Sequence, residues 1–495
     1  METSQSTKST GPQHTQRLSR PVFWAALGQY GKQVLAFGFS VVIARILSPG
    51  DFGLVAMIGF FIAFSRVLID SGFSMTLIRE KEDGRLYDTV FWTNLALAVS
   101  IALLLFLSAG WISRFYDEPR LVELVQISSG LLIVDSLSIV QRSRLRKRLQ
   151  FGKLAIIENV SLVAGYSVCL VLAWQGAGYW SLVGQQIVVT FSDFCLFFAM
   201  GFRPRLRFNY SLLKPTLPFS FGLLGNKAAN NFLDNIDIVM VGKIGGTDLL
   251  GLYNRGNGLM QIPIRGSTFI FARVLYSGFA SMQEDKAATL HLFSRLTALY
   301  AFLMPPIMFF LSLNAEAIVT VLYGEKWIEA AKFLSAFCLY GAIYPLVDLN
   351  KNIVLAQGLS VFAFKLELLV KCMGAGIMLA ALLYIGPVAA ILAKAASMAV
   401  LYVAYLDKIA AVLGPIGKNI LSAWRRSLSG VLAVLLGSLP QHYFSLSPAL
   451  SVVLSSLAMS VLWLTFECYW KGNNMFLVIL RLARLPRKAG LEAVK

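Results

Sequence analysis

Reactive and charged side chains are scarce in this chain, and their scarcity excludes most functions. Of 495 residues, 5 are cysteine and 3 are histidine, and charged residues make up 14%. Cys169, Cys195, Cys338, Cys372 and Cys468 are dispersed without a C-x-x-C pair. Neither a disulfide framework nor a thiolate metal site is therefore expected, and these cysteines read as small buried apolar residues. His14, His291 and His442 are too scattered for a metal site. The sequence contains no Gly-Lys-Ser/Thr loop for nucleotide phosphates, no H-E-x-x-H and no G-x-S-x-G elbow. No metal, no cofactor and no enzymatic activity is expected. Hydrophilic stretches long enough to fold as a soluble domain are missing as well.

Apolar runs fill the space instead, at 57% of the residues. A bilayer core of about 30 Å needs about 20 helical residues per crossing. Inside lipid every backbone polar group must be satisfied within the segment, so runs of this length are helices. The expected fold is an all-α polytopic membrane protein of about 14 transmembrane helices. The breaks divide the chain into a disordered polar tail at 1–20 and a first lobe of six spans at 21–202. A basic connector at 203–218 and a second lobe of six spans at 219–411 follow. Two further helices occupy 412–470, with a basic tail at 471–495. The polar start lacks an apolar cleavable segment, so the first span is expected to be an uncleaved anchor.

The formal charge is +18, from 44 Lys and Arg against 26 Asp and Glu. In a soluble protein that excess would suggest nucleic acid, but its placement here argues otherwise. Basic residues crowd alternate loops: Arg79, Lys81 and Arg85; Arg142 to Lys153; Arg203, Arg205, Arg207 and Lys214; Lys408 to Arg426. The loops around Pro49, Gly176, Gly245 and Pro387 are short and nearly free of Lys and Arg. This alternation is the positive-inside pattern, and it puts both termini in the cytoplasm. The run Arg142–Lys153 reads first as a topology determinant, with contact to anionic lipid headgroups as the alternative. No nucleic acid partner is needed to explain it.

Two segments about 200 residues apart echo each other. Val41 to Leu54 joins the first two spans and Ile238 to Leu252 joins the seventh and eighth. Each has an apolar run, a basic residue, a glycine-containing turn and an Asp before a helix. A second echo pairs Phe115-Tyr116-Asp117-Glu118 with Leu322-Tyr323-Gly324-Glu325. Two echoes in the same order point to a duplicated six-helix lobe, which places a binding site between lobes near the midplane.

Ionisable residues in mid-membrane cost about 2.5–3.5 kcal/mol each on insertion scales and mark functional interiors. Lys227, Asn230, Asn231, Asp234 and Asp237 recur at three- and four-residue steps, forming one polar stripe. Cavity lining is the favoured reading of this stripe, with inter-helix pairing as the alternative. Arg66 and Asp70 are spaced to meet on one helix face. Lys32, Arg255, Arg265, Arg273 and Lys351 complete a candidate anion-attracting set with Arg66, Lys227 and Asn231. Asp70, Asp234, Asp237 and Asp348 are candidates for ion coupling, since acids in a low-dielectric cavity exchange protons readily. Arg45 and Lys243 read as interfacial residues that snorkel.

Several of these segments resemble Wzx-type polysaccharide flippases. The resemblance runs through Ala44-Arg45-Ile46-Leu47-Ser48-Pro49-Gly50-Asp51-Phe52-Gly53-Leu54 and Asp70-Ser71-Gly72-Phe73. It continues in Asn235 to Gly242, in Leu250-Gly251-Leu252-Tyr253-Asn254-Arg255 with Pro263, and in Leu322 to Trp327. It is nearest to exporters of colanic acid and related exopolysaccharides, within the superfamily that also holds the MATE drug exporters and the lipid II flippases. The resemblance implies two pseudo-symmetric six-helix lobes followed by two helices, in a bacterial inner membrane. It also implies that undecaprenyl-pyrophosphate-linked oligosaccharide repeat units cross by rocking of the lobes. A polysaccharide polymerase and a chain-length regulator are the partners it implies, beside membrane lipids. Arg66 to Asp70 is similar to a basic-x-x-x-acid segment of lipid II flippases, in which the basic group would meet the pyrophosphate. A MATE-like cation or drug antiporter is the second reading, and it would favour an acidic cavity.

Overall fold

The computed structural model describes residues 13–70, 74, 77, 84–201, 203–214, 217–281, 286–443 and 447–469; for 13–27, 217–221, 223, 268–281 and several positions beyond 417 the description is of backbone alone. The described residues form sixteen α-helical stretches, one of them two helices that meet at Gly246, and contain no strand. The first group is α1 (Gln13–Ile46), α2 (Pro49–Asp70), α3 (Gly84–Tyr116), α4 (Leu121–Ser136), α5 (Ile139–Lys147), α6 (Phe151–Trp174) and α7 (Trp180–Ala199). A short α8 (Tyr210–Leu213) precedes the long α9 (Leu217–Ser281). The second group continues with α10 (Lys286–Leu313), α11 (Ala315–Tyr323), α12 (Ala330–Ala356), α13 (Ser360–Tyr384) and α14 (Pro387–Leu413). Helices α15 (Gly417–Tyr443) and α16 (Pro448–Tyr469) close the chain.

Among the described residues, nine helical segments are long and apolar enough to cross a membrane. The first arm of α9 is long but carries Lys227, Asp234, Asp237 and Lys243, which lower its hydropathy. Two boundaries differ from expectation, the start of α1 and a break inside the ninth span. Helix α1 starts at Gln13, inside the stretch expected to be disordered, because extending an existing helix outward fixes one residue per added hydrogen bond. The expected seventh and eighth spans are the two arms of α9, two helices that meet at Gly246, whose φ of 72° and ψ of −171° are not helical. The expected ninth span breaks at Asn314, whose side-chain amide donates to the Phe310 carbonyl at 3.0 Å.

Helices α1, α3, α4, α6 and α7 make their main contacts within the first group, and α12, α13 and α14 within the second, whereas α2 and α9 pack chiefly on each other across the two groups. Helices α15 and α16 pack on each other, on α10 and on α11. The most extensive contact between the two groups is α2 against α9, and it is reciprocal. A Cβ on Gly53 would run into the Thr247 carbonyl, and a Cβ on Gly251 would run into the Pro49 carbonyl. The same sequence interval separates Pro49 from Thr247 and Gly53 from Gly251, so the two echo segments touch each other like halves of an isologous pair. Only glycine lets two helix starts cross this closely.

That crossing lies at one end of the bundle, here called the turn end because tight turns such as 47–48, 117–120, 175–179 and 385–386 collect there. It is reinforced by bonds between the groups. Arg45 donates to the Val321 carbonyl and, at 3.0 Å, to that of Leu322. Trp327 Nε1 donates to the Ala44 carbonyl at 2.8 Å, and Lys326 to that of Arg45 at 2.9 Å. Lys243 pairs with Asp117. Arg45 and Lys243 were expected to snorkel; they bond protein groups instead, because the duplicated loops bring acceptors within reach. Arg120 holds Glu118 by two bonds of 2.7 and 2.9 Å, which keeps that loop carboxyl below the usual carboxylate range. The opposite, basic end carries Arg144, Arg146, Lys147, Arg203, Arg205 and Arg207.

Candidate functional site

At the basic end, α2, α4 and α5 enclose a cavity of about 300 Å³ that also reaches the first arm of α9. Arg66 and Asp70 sit one turn apart on α2 and both face it, as their spacing requires. Asp135 enters from α4, and Arg142 and Arg146 from α5. The chain breaks helix at 137–138 and resumes, so Asp135, Ile139, Arg142 and Arg146 stay on the cavity side. Lys227 of α9 crosses from the second group and meets Asp70 at 3.7 Å.

Four cations and two carboxylates therefore share one wet recess. Asp135 lies 3.4 Å from Arg66 and 3.2 Å from Arg142. Arg142 also reaches Asp193 of α7 at 2.7 Å and lies over the Phe197 ring, 5.2 Å from its centroid. Ser74 donates to Asp70. The side chains of Arg66, Lys227 and Asp70 remain 44%, 40% and 36% exposed. Exposure of that order leaves donors available to a ligand, and the cations outnumber the acids. The recess suits a dianionic group that arginine forks bind at two oxygens.

The second group holds a different charge cluster. Asp237, 2% exposed, takes Lys394 at 2.6 Å and the Tyr253 hydroxyl at 2.7 Å. Lys371 bonds Asp234 at 2.8 Å and the Asn230 side chain at 2.9 Å. Lys351 bonds Glu367 at 2.9 Å, and the Tyr405 hydroxyl donates to Glu367 at 3.2 Å. Asn352 bonds both the Asp348 backbone and its carboxylate, at 2.8 and 3.4 Å. In this cluster each lysine has an acid: Lys351 has Glu367, Lys371 has Asp234 and Lys394 has Asp237.

The structure thus gathers Arg66, Asp70 and Lys227 and disperses the other candidates. The polar stripe of α9 lines the cavity only at Lys227; Asn230, Asp234 and Asp237 link α9 to α13 and α14. Their partners Lys371 and Lys394 are on neighbouring helices, which periodicity along one helix cannot reveal. Asn231 keeps a buried side-chain oxygen that accepts no hydrogen bond. Lys32 pairs with Glu158 of α6 at 3.3 Å, and Lys351 belongs to the Glu367 cluster. Arg265 is exposed, and the side chain of Arg273 lies outside the described residues. Arg255 is placed near the turn end in an aromatic box. Its guanidinium is 3.7 Å from the Phe52 ring centroid, 5.7 Å from Tyr323 and 5.8 Å from Trp327, and it donates to Ser40. Asp135, Arg142 and Arg146 were not in the anion-attracting set. Their i, i+7, i+11 spacing was visible, but the two arginines fell in a run read as a topology determinant. Among the described residues no group of three His, Cys, Asp or Glu could hold a metal ion.

The model of a family described as polysaccharide biosynthesis protein matches residues 42–332. The chain is 29% identical over 324 residues to the succinoglycan biosynthesis transport protein ExoT of Rhizobium meliloti, a match covering 65% of this chain and 66% of the relative. It is 26% identical over 305 residues to the teichuronic acid biosynthesis protein TuaB of Bacillus subtilis, covering 61% and 63%. The matched part spans just under two thirds of the length of these two relatives. Among solved structures, the lipid II flippase MurJ in an inward closed conformation superposes with a TM-score of 0.69 at 14% identity, covering 90% of this chain and 98% of that one. That likeness establishes the shared fold.

Proposed function

The chain belongs to the polysaccharide biosynthesis protein family, and from that premise we propose that it is a flippase for undecaprenyl-pyrophosphate-linked oligosaccharides. It is a multi-pass membrane transporter and not an enzyme. In this reading the basic end faces the cytoplasm of a bacterial cell and the turn end faces the periplasm. Repeat units for exopolysaccharide, capsule or O-antigen then enter from the cytoplasmic leaflet. The cation-rich recess carries the proposal: Arg66, Arg142, Arg146 and Lys227 converge where a diphosphate could be held, while the lipid tail stays in the bilayer.

The turn-end crossing supports alternating access. Gly53 against Thr247 and Gly251 against Pro49 close that end, so release requires the two groups to part there. Lys227 bridges the groups at the other end through Asp70. A diphosphate binding Arg66 and Lys227 would compete with Asp70 for its cation and so link loading to lobe movement. Asp70 and Asp348 are the carboxylates we assign to ion coupling. Asp234 and Asp237 are each held at 2.8 Å or less by a lysine. The same pairing disfavours the cation or drug antiporter, which needs acids free to receive its substrate. A polymerase and a chain-length regulator would act on the product at the turn end.

The test is a strain lacking this protein, with the priming transferase kept under control. Loss of surface polysaccharide, with undecaprenyl-linked repeat units trapped in the cytoplasmic leaflet and restored by the gene, is the expected result. Normal polymer with no trapped intermediate, together with lowered efflux of organic cations, would reverse the assignment in favour of the antiporter.

A further inference from the structure

Between α7 and α8 the chain runs as a non-helical strap, residues 203–209, across the basic end of α3. The bonds that hold it use its backbone. Arg205 N donates to Asp88 Oδ1 at 3.0 Å, and Trp92 Nε1 donates to the Arg205 carbonyl at 2.8 Å. Asn209 N donates to Thr89 Oγ1 at 3.3 Å. Beyond the strap, Leu213 is buried with Leu86, Tyr87, Val90 and Val140. Anchoring through main-chain atoms leaves the strap's side chains for other work.

Those side chains face outward in an unusual mixture. Arg203, Arg205, Arg207 and Lys214 are exposed, and no acidic residue occurs anywhere between Asp193 and Asp234. Between the arginines, Leu206 is 88% exposed and Phe208 62%, with Tyr210 at 57%. Arg207 N donates to the Arg205 carbonyl at 2.7 Å, a three-residue turn that puts Leu206 at its apex. Apolar side chains are normally withdrawn from water, and a pinned turn that displays three of them beside four cations matches the membrane interface. There apolar groups enter the acyl boundary while arginines meet headgroup phosphates.

We propose that residues 203–214 form a binding surface for anionic phospholipid headgroups, with Leu206 and Phe208 seated in the leaflet that the basic end adjoins. The argument uses charge complementarity and exposure at the strap, and it does not depend on which substrate the cavity carries. It also separates this surface from the cavity, to which no strap residue contributes.

The test uses full-length protein carrying Leu206→Cys, labelled with a polarity-sensitive fluorophore. The labelled unmutated chain is run in parallel to subtract its native cysteines. In nanodiscs of phosphatidylcholine mixed with phosphatidylglycerol, the label should report an apolar environment and be quenched by lipid-borne nitroxide. In phosphatidylcholine alone both signals should fall. A basic side chain at an anionic surface contributes roughly a fivefold preference, so Arg203→Gln/Arg205→Gln/Arg207→Gln should lower the phosphatidylglycerol preference by on the order of 100-fold. Native mass spectrometry of the unlabelled forms provides the second measurement: the triple variant should retain fewer phosphatidylglycerol molecules. Water-like emission in both nanodiscs would overturn the proposal and mark the strap as a docking edge for a soluble partner. Equal quenching with and without phosphatidylglycerol would overturn the anionic selection.

Discussion

The two charged clusters both set cations against carboxylates, yet they differ in how closely the charges are paired and how far they are buried. In the second group, Asp237 and Glu367 are 2% and 7% exposed and each meets a lysine within 3 Å. At the basic end, Arg66 and Lys227 keep about two fifths of their side-chain surface, and their carboxylates stand at 3.4 and 3.7 Å. Buried and matched charges cross-link helices, because removing one partner strands the other in low dielectric. Half-exposed and loosely paired charges contribute little to stability and remain open to a ligand. An ionisable residue in a span is therefore a weak indicator of a substrate site until its partner and its exposure are known.

This contrast can be broken where the cluster is tightest. Asp237→Ala leaves Lys394 buried without a carboxylate and should cost about 3–5 kcal/mol, read as a lower melting temperature of the detergent-solubilised protein. Adding Lys394→Met should recover most of the loss. A wild-type melt for the single variant would remove the structural role assigned to this pair.

Arg255 offers an intermediate case, being cationic but enclosed by rings. Arg255→Lys keeps the charge and loses the planar stack over Phe52, and a stability loss of about 2 kcal/mol is expected. Full stability in the lysine variant would show that charge alone suffices there. Arg66→Ala should change stability by less than about 1 kcal/mol yet lower surface polysaccharide sharply. Arg66→Lys should restore part of the export. Equal export in the alanine variant and the unmutated protein would detach the recess from transport, and the contrast between clusters would lose its functional meaning.

Much of this organisation was legible in the chain itself. The apolar runs required helices, since lipid offers the backbone no hydrogen bonds. The echo between Val41–Leu54 and Ile238–Leu252 anticipated duplicated halves, and the structure turns that echo into a reciprocal contact. Arg66 and Asp70 were found because both lie on one face of one helix. Arg142 and Arg146 were visible but assigned to topology, because a basic run at a membrane boundary has the same composition whether or not it folds back over a cavity. Lys371 and Lys394 could not be matched to Asp234 and Asp237, because no local signal relates residues about 140 and 160 positions apart.

What the sequence determined by itself is the solvent of each segment: which stretches enter lipid, which stay at the basic end, and where helices must stop. Hydropathy and charge act locally and can be read one segment at a time. Only the tertiary structure decided which charges neutralise each other and which remain for a ligand. Coulomb interactions and desolvation depend on distances and burial that are set by packing between helices remote in the chain.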